Sequence, residues 1–217
     1  MSGIVIIGAG HAGVNVAASI RKQDADVAIT LLSAEDLIPY HRPPLSKKAV
    51  FDAALPVELL QPNGYYEKAD IDLRLNTPVS SIEASNQSIT LADGSHIKYD
   101  QLVIATGTQL RNLPVPGGDK AMGVYTYADI ATLGPRLHAA EKIAVVGGGF
   151  IGCEVAAGAL KMGKQVSLLI TGPRALRKAV APVLGETVTR LHLEHGMDVR
   201  TGCKTLAITD TGVETDQ

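Results

Sequence analysis

The sequence predicts an α/β protein made of two Rossmann-like, three-layer dinucleotide-binding units, each with a small antiparallel meander, of which the second is incomplete. Two observations predict this fold class. An apolar run, a glycine-rich turn and a segment with helical spacing of apolar residues occur twice, in residues 3–33 and 142–170. Each copy then returns to a continuous apolar run, which is typical of a strand buried on both faces of a parallel sheet.

The first unit is expected to run from a strand at 3–8 through a helix at 12–23 to a strand at 26–33. From about Asp70 the pattern changes to short segments of alternating apolar and polar residues, separated by turn residues. These segments predict a small antiparallel meander that returns to the sheet, formed by residues 71–75, 78–84, 87–94 and 96–107.

A linker is expected at residues 111–120, because Pro114, Pro116 and the two glycines after them prevent regular structure. We therefore place the first domain at residues 1–113 and the second at residues 114–217. Beyond its copy of the repeat, the second domain is expected to contain two helices, a strand and the first hairpin of a second meander, at residues 127–142, 183–196, 197–202 and 203–217.

The composition is that of an ordinary globular protein. Apolar residues make up 46%, charged residues 19% and the net charge is −2, which gives no electrostatic reason to expect binding to nucleic acid or a membrane. Cys153 and Cys203 form no close pair and no metal-binding spacing, so a reducing, cytoplasmic location is expected. His192 and His195 could share a helix face, but no third ligand follows at a useful spacing, so no metal site is expected.

The two glycine-rich turns have the spacing that cradles the phosphates of a dinucleotide. In residues 8–13, GAGHAG, the first glycine allows a tight turn, the second lets the backbone approach a pyrophosphate, and the third lets helix and strand pack closely. Residues 147–152, GGGFIG, repeat this spacing. Such turns also occur for structural reasons alone, but here each follows a strand and opens a helix, whose N-terminus attracts anions. The simplest interpretation is two dinucleotides, one held as a prosthetic group and one visiting, with a hydride passing between them.

Four stretches of the sequence point to one family. They are GAGHAG at 8–13, PYHRPPLSK at 39–47, YDQLVIATG at 99–107 and VVGGGFIGCEVA at 145–156. Together they resemble the flavin-dependent NAD(P)H reductases with paired Rossmann-like domains, which have a pyridine nucleotide-disulfide oxidoreductase-like fold. The second stretch is the most specific, and it is similar to the ferredoxin and rubredoxin reductase subgroup. The chain resembles only the N-terminal half of these proteins.

The resemblance implies a flavoprotein oxidoreductase that passes a hydride from NAD(P)H to FAD and then electrons to a ferredoxin- or rubredoxin-like iron–sulfur protein. It implies direct transfer to this acceptor, because the chain has no cysteine before Cys153, in the region where disulfide-type relatives carry redox cysteines. Cys153 itself is expected to be a small packed residue. The alternative function is a non-catalytic dinucleotide-binding module, or an inactive fragment of such a reductase.

The resemblance also implies roles for individual residues. Lys47 and Glu154, which fall in different predicted domains, would pair beside the flavin as catalytic residues. Taken singly, a lysine on a proline loop is often only solvated, and an acid in a first helical turn can serve the helix dipole alone. The FAD-binding residues would be Gly8, Gly10, Ala12, Gly13, Glu35, Arg42, Lys47, Val79, Ala105, Thr106 and Gly107. The NAD(P)H-binding residues would be Gly147, Gly149, Ile151, Gly152 and Arg174.

The second strand of the second copy ends without the acid that usually binds the ribose diol of NADH. Ile170 stands at that place, and Arg174, Arg177 and Lys178 follow it. Loss of the acid removes the usual discrimination against a 2′-phosphate, and nearby positive charge could favour one. We therefore expect weak discrimination between NADH and NADPH.

Overall fold

The protein is described from a computed structural model, which covers residues 3–52 and 54–217. It forms two compact units. The first consists of the described residues up to His41 together with Val57–Thr108, and the second consists of those in Arg42–Pro56 together with Gln109–Gln217. These units differ from the predicted domains mainly at the described residues within 42–56, which belong to the second unit although they precede the predicted boundary at residue 113.

The first unit is built around a parallel sheet of four strands in the order β3-β2-β1-β7. The turn after β1 leads directly into α1, and in register Ile7 lies beside Leu32 of β2 and Ile104 of β7. A separate antiparallel sheet has the order β4-β5-β6. The elements are β1 Ile4–Ile7, α1 His11–Gln23, β2 Ile29–Leu32, α2 Tyr65–Lys68, β3 Ile71–Arg74, β4 Val79–Glu83, a 3₁₀ turn Ala84–Asn86, β5 Ser88–Leu91, β6 His96–Lys98 and β7 Gln101–Ile104.

One part of the predicted meander was wrong. Residues 71–75 were assigned to the antiparallel meander, but β3 pairs in parallel with β2 at the edge of the main sheet. The alternating pattern has a simple cause: Ile71 and Leu73 pack into the apolar cluster beneath α1, while Asp72 and Arg74 are exposed. An edge strand covered on one face alternates in the same way as an antiparallel strand does.

The second unit has a parallel sheet of three strands in the order β10-β9-β8, together with an antiparallel hairpin of β11 and β12. Its order matches β3-β2-β1 of the first unit, and no described strand of this unit occupies the place that β7 has beside β1. The predicted fold class, two Rossmann-like α/β units with the second one incomplete, is confirmed. The elements are a π-helix Leu45–Ala49, a 3₁₀ turn Gly118–Lys120, α3 Tyr127–Ala139, β8 Lys142–Val146, α4 Phe150–Lys161, β9 Gln165–Ile170, α5 Pro182–Glu194, β10 Asp198–Thr201, β11 Thr205–Ile208 and β12 Val213–Thr215.

Residues 42–52, which we call the docking segment, are held on α3 and α4. The phenyl ring of Phe51 lies against Gly158 of α4, where a methyl group would overlap it. His138 of α3 hydrogen-bonds with the carbonyl oxygen of Phe51, at 2.9 Å from its Nε2 atom. These contacts explain why this stretch belongs to the second unit. None of the helices in the described residues is long and apolar enough to span a membrane.

Candidate functional site

The first glycine turn lies between the carboxyl end of β1 and the N-terminus of α1. Gly8 has φ of +104°, a conformation that glycine adopts without strain. Its N–H donates a hydrogen bond to the carbonyl oxygen of Leu32 in β2, at 2.9 Å. A methyl group at Gly13 would overlap the carbonyl oxygen of Gly8, so only glycine lets helix and strand pack this closely. The turn therefore has the geometry that its sequence predicts.

The second glycine turn has the same backbone conformation and the same hydrogen bond to the neighbouring strand as the first turn. Gly147 has φ of +111°. Its N–H donates to the carbonyl oxygen of Leu169 in β9, at 2.8 Å. A methyl group at Gly152 would overlap the carbonyl oxygen of Gly147. Neither Gly8 nor Gly147 lies within a helix or a strand, so the predicted position of both turns at strand ends is confirmed.

Both turns are open on the side where a phosphate would bind. Gly10 and Gly149 are the N-cap residues of α1 and α4, and neither helix has a side-chain cap. A methyl group at either glycine would meet no atom within 4 Å. The first-turn N–H groups of a helix attract anions, and open space above them is what a dinucleotide pyrophosphate needs. Ala12 and Ile151, the next predicted contacts, are both exposed. The residues present fit a dinucleotide at each turn.

The residues after β7 lie directly against the first turn. Ala105 donates its N–H to the carbonyl oxygen of Ile7 at 2.8 Å, and a methyl group at Gly8 would overlap the carbonyl oxygen of Ala105. Thr106 follows, and Gly107 has φ of +70°. Val79 packs against the apolar cluster that contains Ile7. The structure thus brings the predicted stretch 105–107 to the first turn.

Glu35, the predicted ribose-binding acid, lies three residues beyond β2. The Tyr40 hydroxyl donates a 2.5 Å hydrogen bond to Glu35 Oε2, and the Glu35 N–H donates to Ser33 Oγ at 3.2 Å. His11, at the start of α1, is hydrogen-bonded to His41, with 3.1 Å between Nε2 and Nδ1. The sequence analysis missed the roles of these tyrosine and histidine side chains. The one sequence signal for them was their position: His11 lies in the stretch 8–13, and Tyr40 and His41 lie in the stretch 39–47.

Arg42 lies in the docking segment and contacts Tyr125 of the second unit. Its Nη1 donates to the Tyr125 carbonyl oxygen at 2.7 Å, and its Cζ lies 4.7 Å from the centre of the Tyr125 ring. This combination of hydrogen bond and cation–π contact holds the guanidinium in place. The predicted role of Arg42 in lining the flavin stays a prediction.

Lys47 and Glu154 form an ion pair within the second unit. Lys47 lies on the π-helix Leu45–Ala49 of the docking segment, and Glu154 lies in α4, one turn beyond Gly149. The distance from Lys47 Nζ to Glu154 Oε1 is 3.8 Å, with the lysine side chain 53% exposed and the glutamate side chain 31% exposed. The other carboxylate oxygen, Oε2, accepts a 2.5 Å hydrogen bond from Ser46. The structure brings the two predicted residues together, and their catalytic role stays a prediction.

The ends of β9 and β2 differ. Glu35 follows β2, whereas β9 ends at the apolar residue Ile170. Ile170 is 4% exposed and covers the middle glycine of the second turn, since a methyl group at Gly148 would lie 2.8 Å from its Cδ1. The hydrogen bonds from Gly8 to Leu32 and from Gly147 to Leu169 make those two leucines equivalent, so Gly172 is the counterpart of Glu35. No acid stands at either position. Arg174 follows, and its buried Nε has no hydrogen-bond partner among the described residues.

Burial shifts the pKa of both Cys153 and His192 in the direction that favours the neutral side chain. Cys153 is 7% exposed, and burial, with a smaller effect from Glu154, raises the pKa of its thiol to about 11, which confirms the expectation of a packed residue. Burial, followed by the nearby His195, lowers the pKa of His192. Across residues 3–52 and 54–217, no three or more histidine, cysteine or acidic side chains are grouped so that they could hold a metal.

Known proteins are similar in sequence to this chain over most of its length. It is 40% identical over 196 residues to the ferredoxin–NAD(+) reductase component of the anthranilate 1,2-dioxygenase system of Burkholderia cepacia, covering 89% of this chain and 48% of the relative. It is 38% identical over 207 residues to putidaredoxin reductase of Pseudomonas putida, covering 92% of this chain and 49% of the relative. The chain therefore spans about half the length of the curated relatives it matches.

Solved structures share the fold. The ferredoxin reductase for the CYP199A2 system of Rhodopseudomonas palustris superposes with a TM-score of 0.92 at 30% identity, over 98% of this chain and 55% of that one. A covalent putidaredoxin reductase–putidaredoxin complex superposes with a TM-score of 0.89 at 34% identity, over 98% of this chain and 54% of that one. The family model of pyridine nucleotide-disulphide oxidoreductases matches residues 2–217. The chain belongs to the pyridine nucleotide-disulphide oxidoreductase family.

Proposed function

We propose that this chain carries the two dinucleotide sites of an FAD-dependent NAD(P)H reductase that delivers electrons to a ferredoxin- or rubredoxin-like iron–sulfur protein. The observation that carries the proposal is the pair of equivalent glycine turns, both open above a helix N-terminus. One turn would suffice for a protein that only binds a nucleotide. Two turns in one chain suit a reaction in which one dinucleotide reduces another.

FAD would bind at the first turn. The N–H groups at the start of α1 would face its pyrophosphate, with Gly10 leaving room for it and Ala12 exposed beside it, while Gly13 lets the helix pack closely on the strand. Glu35, oriented by Tyr40, would accept hydrogen bonds from the adenosine ribose. The family resemblance adds Val79 and residues 105–107 as further contacts. When bound, FAD would supply the ability to take two electrons from NAD(P)H and to release them one at a time.

NAD(P)H would bind at the second turn. The N-terminus of α4 would face its pyrophosphate, and Gly147, Gly149 and Gly152 would keep the turn tight and open. Ile151, 51% exposed, offers an apolar contact to the cofactor. Arg174 would supply positive charge near the adenosine end. With no acid at Ile170 or at Gly172, the ribose diol of NADH would have no charge-assisted acceptor, so discrimination between NADH and NADPH would be weak.

Lys47 and Glu154 would be the catalytic residues. The Lys47 ammonium would stabilise negative charge on the isoalloxazine ring of the flavin, because a positive charge close to the ring lowers the energy of negative charge there. Glu154 would hold the ammonium there and keep it from pairing with cofactor phosphates. The 3.8 Å separation supports this pairing.

The acceptor would take electrons from the flavin without a thiol relay. Cys153 is buried with a raised pKa and Cys203 is buried as well, so neither supplies a reactive thiolate. The names of the relatives, among them putidaredoxin reductase and rubredoxin–NAD(+) reductase, support a small iron–sulfur or iron protein as partner. Two free cysteines suit a reducing compartment, and we propose the cytoplasm.

The experiment that tests this proposal uses the full-length protein. After purification it should be yellow, and NADH or NADPH added without oxygen should bleach the flavin absorbance. Ferredoxin, rubredoxin or putidaredoxin should then restore the colour. A colourless protein, or a yellow one that neither nucleotide bleaches, would support the alternative of a dinucleotide-binding module without turnover.

A further inference from the structure

The docking segment presents two side chains to the same carboxylate, and the two contacts differ in kind. Ser46 Oγ lies 2.5 Å from Glu154 Oε2, a short hydrogen bond in which the hydroxyl donates. Lys47 Nζ lies 3.8 Å from Oε1, beyond hydrogen-bond distance. Each carboxylate oxygen therefore has its own partner, and the tighter contact is with the serine.

The burial of the two side chains also indicates that the serine contact is the tighter one. Ser46 is 5% exposed, whereas the Lys47 side chain is 53% exposed. An exposed ammonium competes with water for its partner and is screened by salt, so such a pair fixes a carboxylate poorly. A buried hydroxyl bonded to a charged acceptor is a stronger restraint. Ser46 therefore restrains Glu154 more strongly than Lys47 does.

The local backbone explains how neighbouring residues reach one acid. In the π-helix the N–H of Ala49 donates to the carbonyl oxygen of Pro44, at 3.1 Å, and that of Val50 donates to Leu45, at 3.2 Å. These hydrogen bonds span five residues, so the turn is wider than an α-helical turn. Ser46 and Lys47 both contact Glu154 from this wide turn.

We propose that Ser46 is a positioning residue for the reaction: its hydrogen bond fixes Glu154, so that only Lys47 need be ordered when the ion pair forms. Ser46 is buried and acts through the acid. This inference rests on the proposed function for its catalytic consequence. Its structural part, the dependence of the Lys47–Glu154 pair on Ser46, stands independently of it.

The structural part is tested by chemical labelling of the full-length protein. Acetylation with a succinimidyl ester, followed by tandem mass spectrometry, gives the labelling rate of Lys47 relative to its neighbour Lys48. Ser46→Ala should raise this ratio about two- to fivefold, because an ion pair of this exposure protects an amine by that order. Glu154→Gln should raise it at least as much, and the double variant should add nothing further. Ser88→Ala, which removes a hydroxyl that is also 5% exposed, should leave the ratio unchanged. A ratio unchanged in Ser46→Ala overturns the proposal.

The catalytic part is tested by the rate at which NAD(P)H bleaches the FAD-loaded protein. Ser46→Ala should lower the maximal rate about tenfold, the effect of losing one hydrogen bond to a charged group, and leave the half-saturating NAD(P)H concentration unchanged. The double variant Ser46→Ala/Glu154→Gln should be no slower than Glu154→Gln alone. Independent, additive losses would overturn the positioning role. If the unsubstituted protein is not bleached at all, the proposed function fails, and the labelling result alone decides about Ser46.

Discussion

The two glycine turns share one backbone geometry and differ in what surrounds them. In each, a glycine with positive φ donates to the neighbouring strand, at 2.9 Å in the first turn and 2.8 Å in the second. In the first turn, Gly8 lies against the backbone of Ala105. The neighbouring strand β2 leads to Glu35, whose carboxylate accepts a hydrogen bond from Tyr40. At the second turn, a methyl group on Gly147 would meet no atom within 4 Å, and the strand end carries Ile170.

This contrast separates two kinds of information in the sequence. The spacing of the glycines fixes where a pyrophosphate can bind, because it sets the close packing of helix and strand. The residues at the neighbouring strand ends bear on the adenosine ribose beside it, because an acid accepts hydrogen bonds from a ribose diol and repels a 2′-phosphate. The first turn has an oriented acid at this place, and the second has none.

The largest expected effect comes from the third glycine of each turn. Gly13→Ala and Gly152→Ala would each push a methyl group into the carbonyl oxygen of the turn, and the overlap should cost about 1–3 kcal/mol of folding free energy. Alanine usually gains about 1 kcal/mol over glycine in a helix, so the net loss should be up to about 2 kcal/mol. Hydrogen exchange followed by mass spectrometry should show faster exchange in the substituted unit. Equal loss of protection in both units would contradict the equivalence of two separate turns.

A smaller effect is expected where the turns differ. Gly172→Glu places an acid at the counterpart of Glu35, where it should bind the ribose diol of NADH and repel a 2′-phosphate. The preference should shift toward NADH by about tenfold or more, as expected for a charge-assisted hydrogen bond. Titration of both nucleotides against both proteins measures it. Because a Cβ atom at Gly172 would lie 3.1 Å from Cδ of Arg177, thermal unfolding of the variant is measured as well, with the uncharged Gly172→Gln as the matched control. Strong NADH preference in the unsubstituted protein would show that another residue binds the diol.

The effects that should be smallest at neutral pH are on stability, and they act in opposite pH ranges in the two units. Burial lowers the pKa of His192 in the second unit, so the unfolded chain takes up its proton first as the pH falls below 6.5, and the unit is destabilised. Burial raises the pKa of Tyr66 in the first unit from 10.0 to about 12, so this unit is destabilised as the pH rises above 10.

Two variants check these directions. His192→Leu should flatten the acid side of the stability curve. Tyr66→Phe should flatten the alkaline side. It should also leave the protein as stable or more stable at neutral pH, because the Tyr66 hydroxyl is buried without a hydrogen-bond partner in the part of the chain that the structure describes. Unchanged slopes in both variants would contradict the assignment.

Local pattern was enough to predict most of the fold. Continuous apolar runs predicted β1, β2, β8 and β9, and helical spacing predicted α1 and α4, because these elements are buried in the way their own sequence demands. The glycine spacing predicted both turns for the same reason: helix and strand can pack that closely only over glycine. β3 was misassigned, since an edge strand of a parallel sheet has the alternation of an antiparallel strand.

Contacts between distant residues could not be predicted from pattern. The docking segment follows the first unit in sequence, yet Phe51 fits against Gly158 more than a hundred residues later. The bond from Ser46 to Glu154 and the π-helix that makes it possible have no periodic signal. The Lys47–Glu154 pair was expected only because of the family resemblance. The sequence analysis missed Ser46, which is hydrogen-bonded to Glu154, because the two residues lie 108 positions apart.

The central claim is that two equivalent turns bind two different dinucleotides, and substitution of the second glycine in each turn tests it most directly. Gly10→Ala and Gly149→Ala should leave the fold intact, because φ at these residues is −78° and −79° and a methyl group would meet no atom within 4 Å. Each would occupy the space needed by a pyrophosphate. In the full-length protein, Gly10→Ala should weaken FAD retention about tenfold or more and leave NAD(P)H affinity unchanged, and Gly149→Ala should do the reverse. Loss of the same ligand in both variants, or of neither ligand in either, would contradict the account.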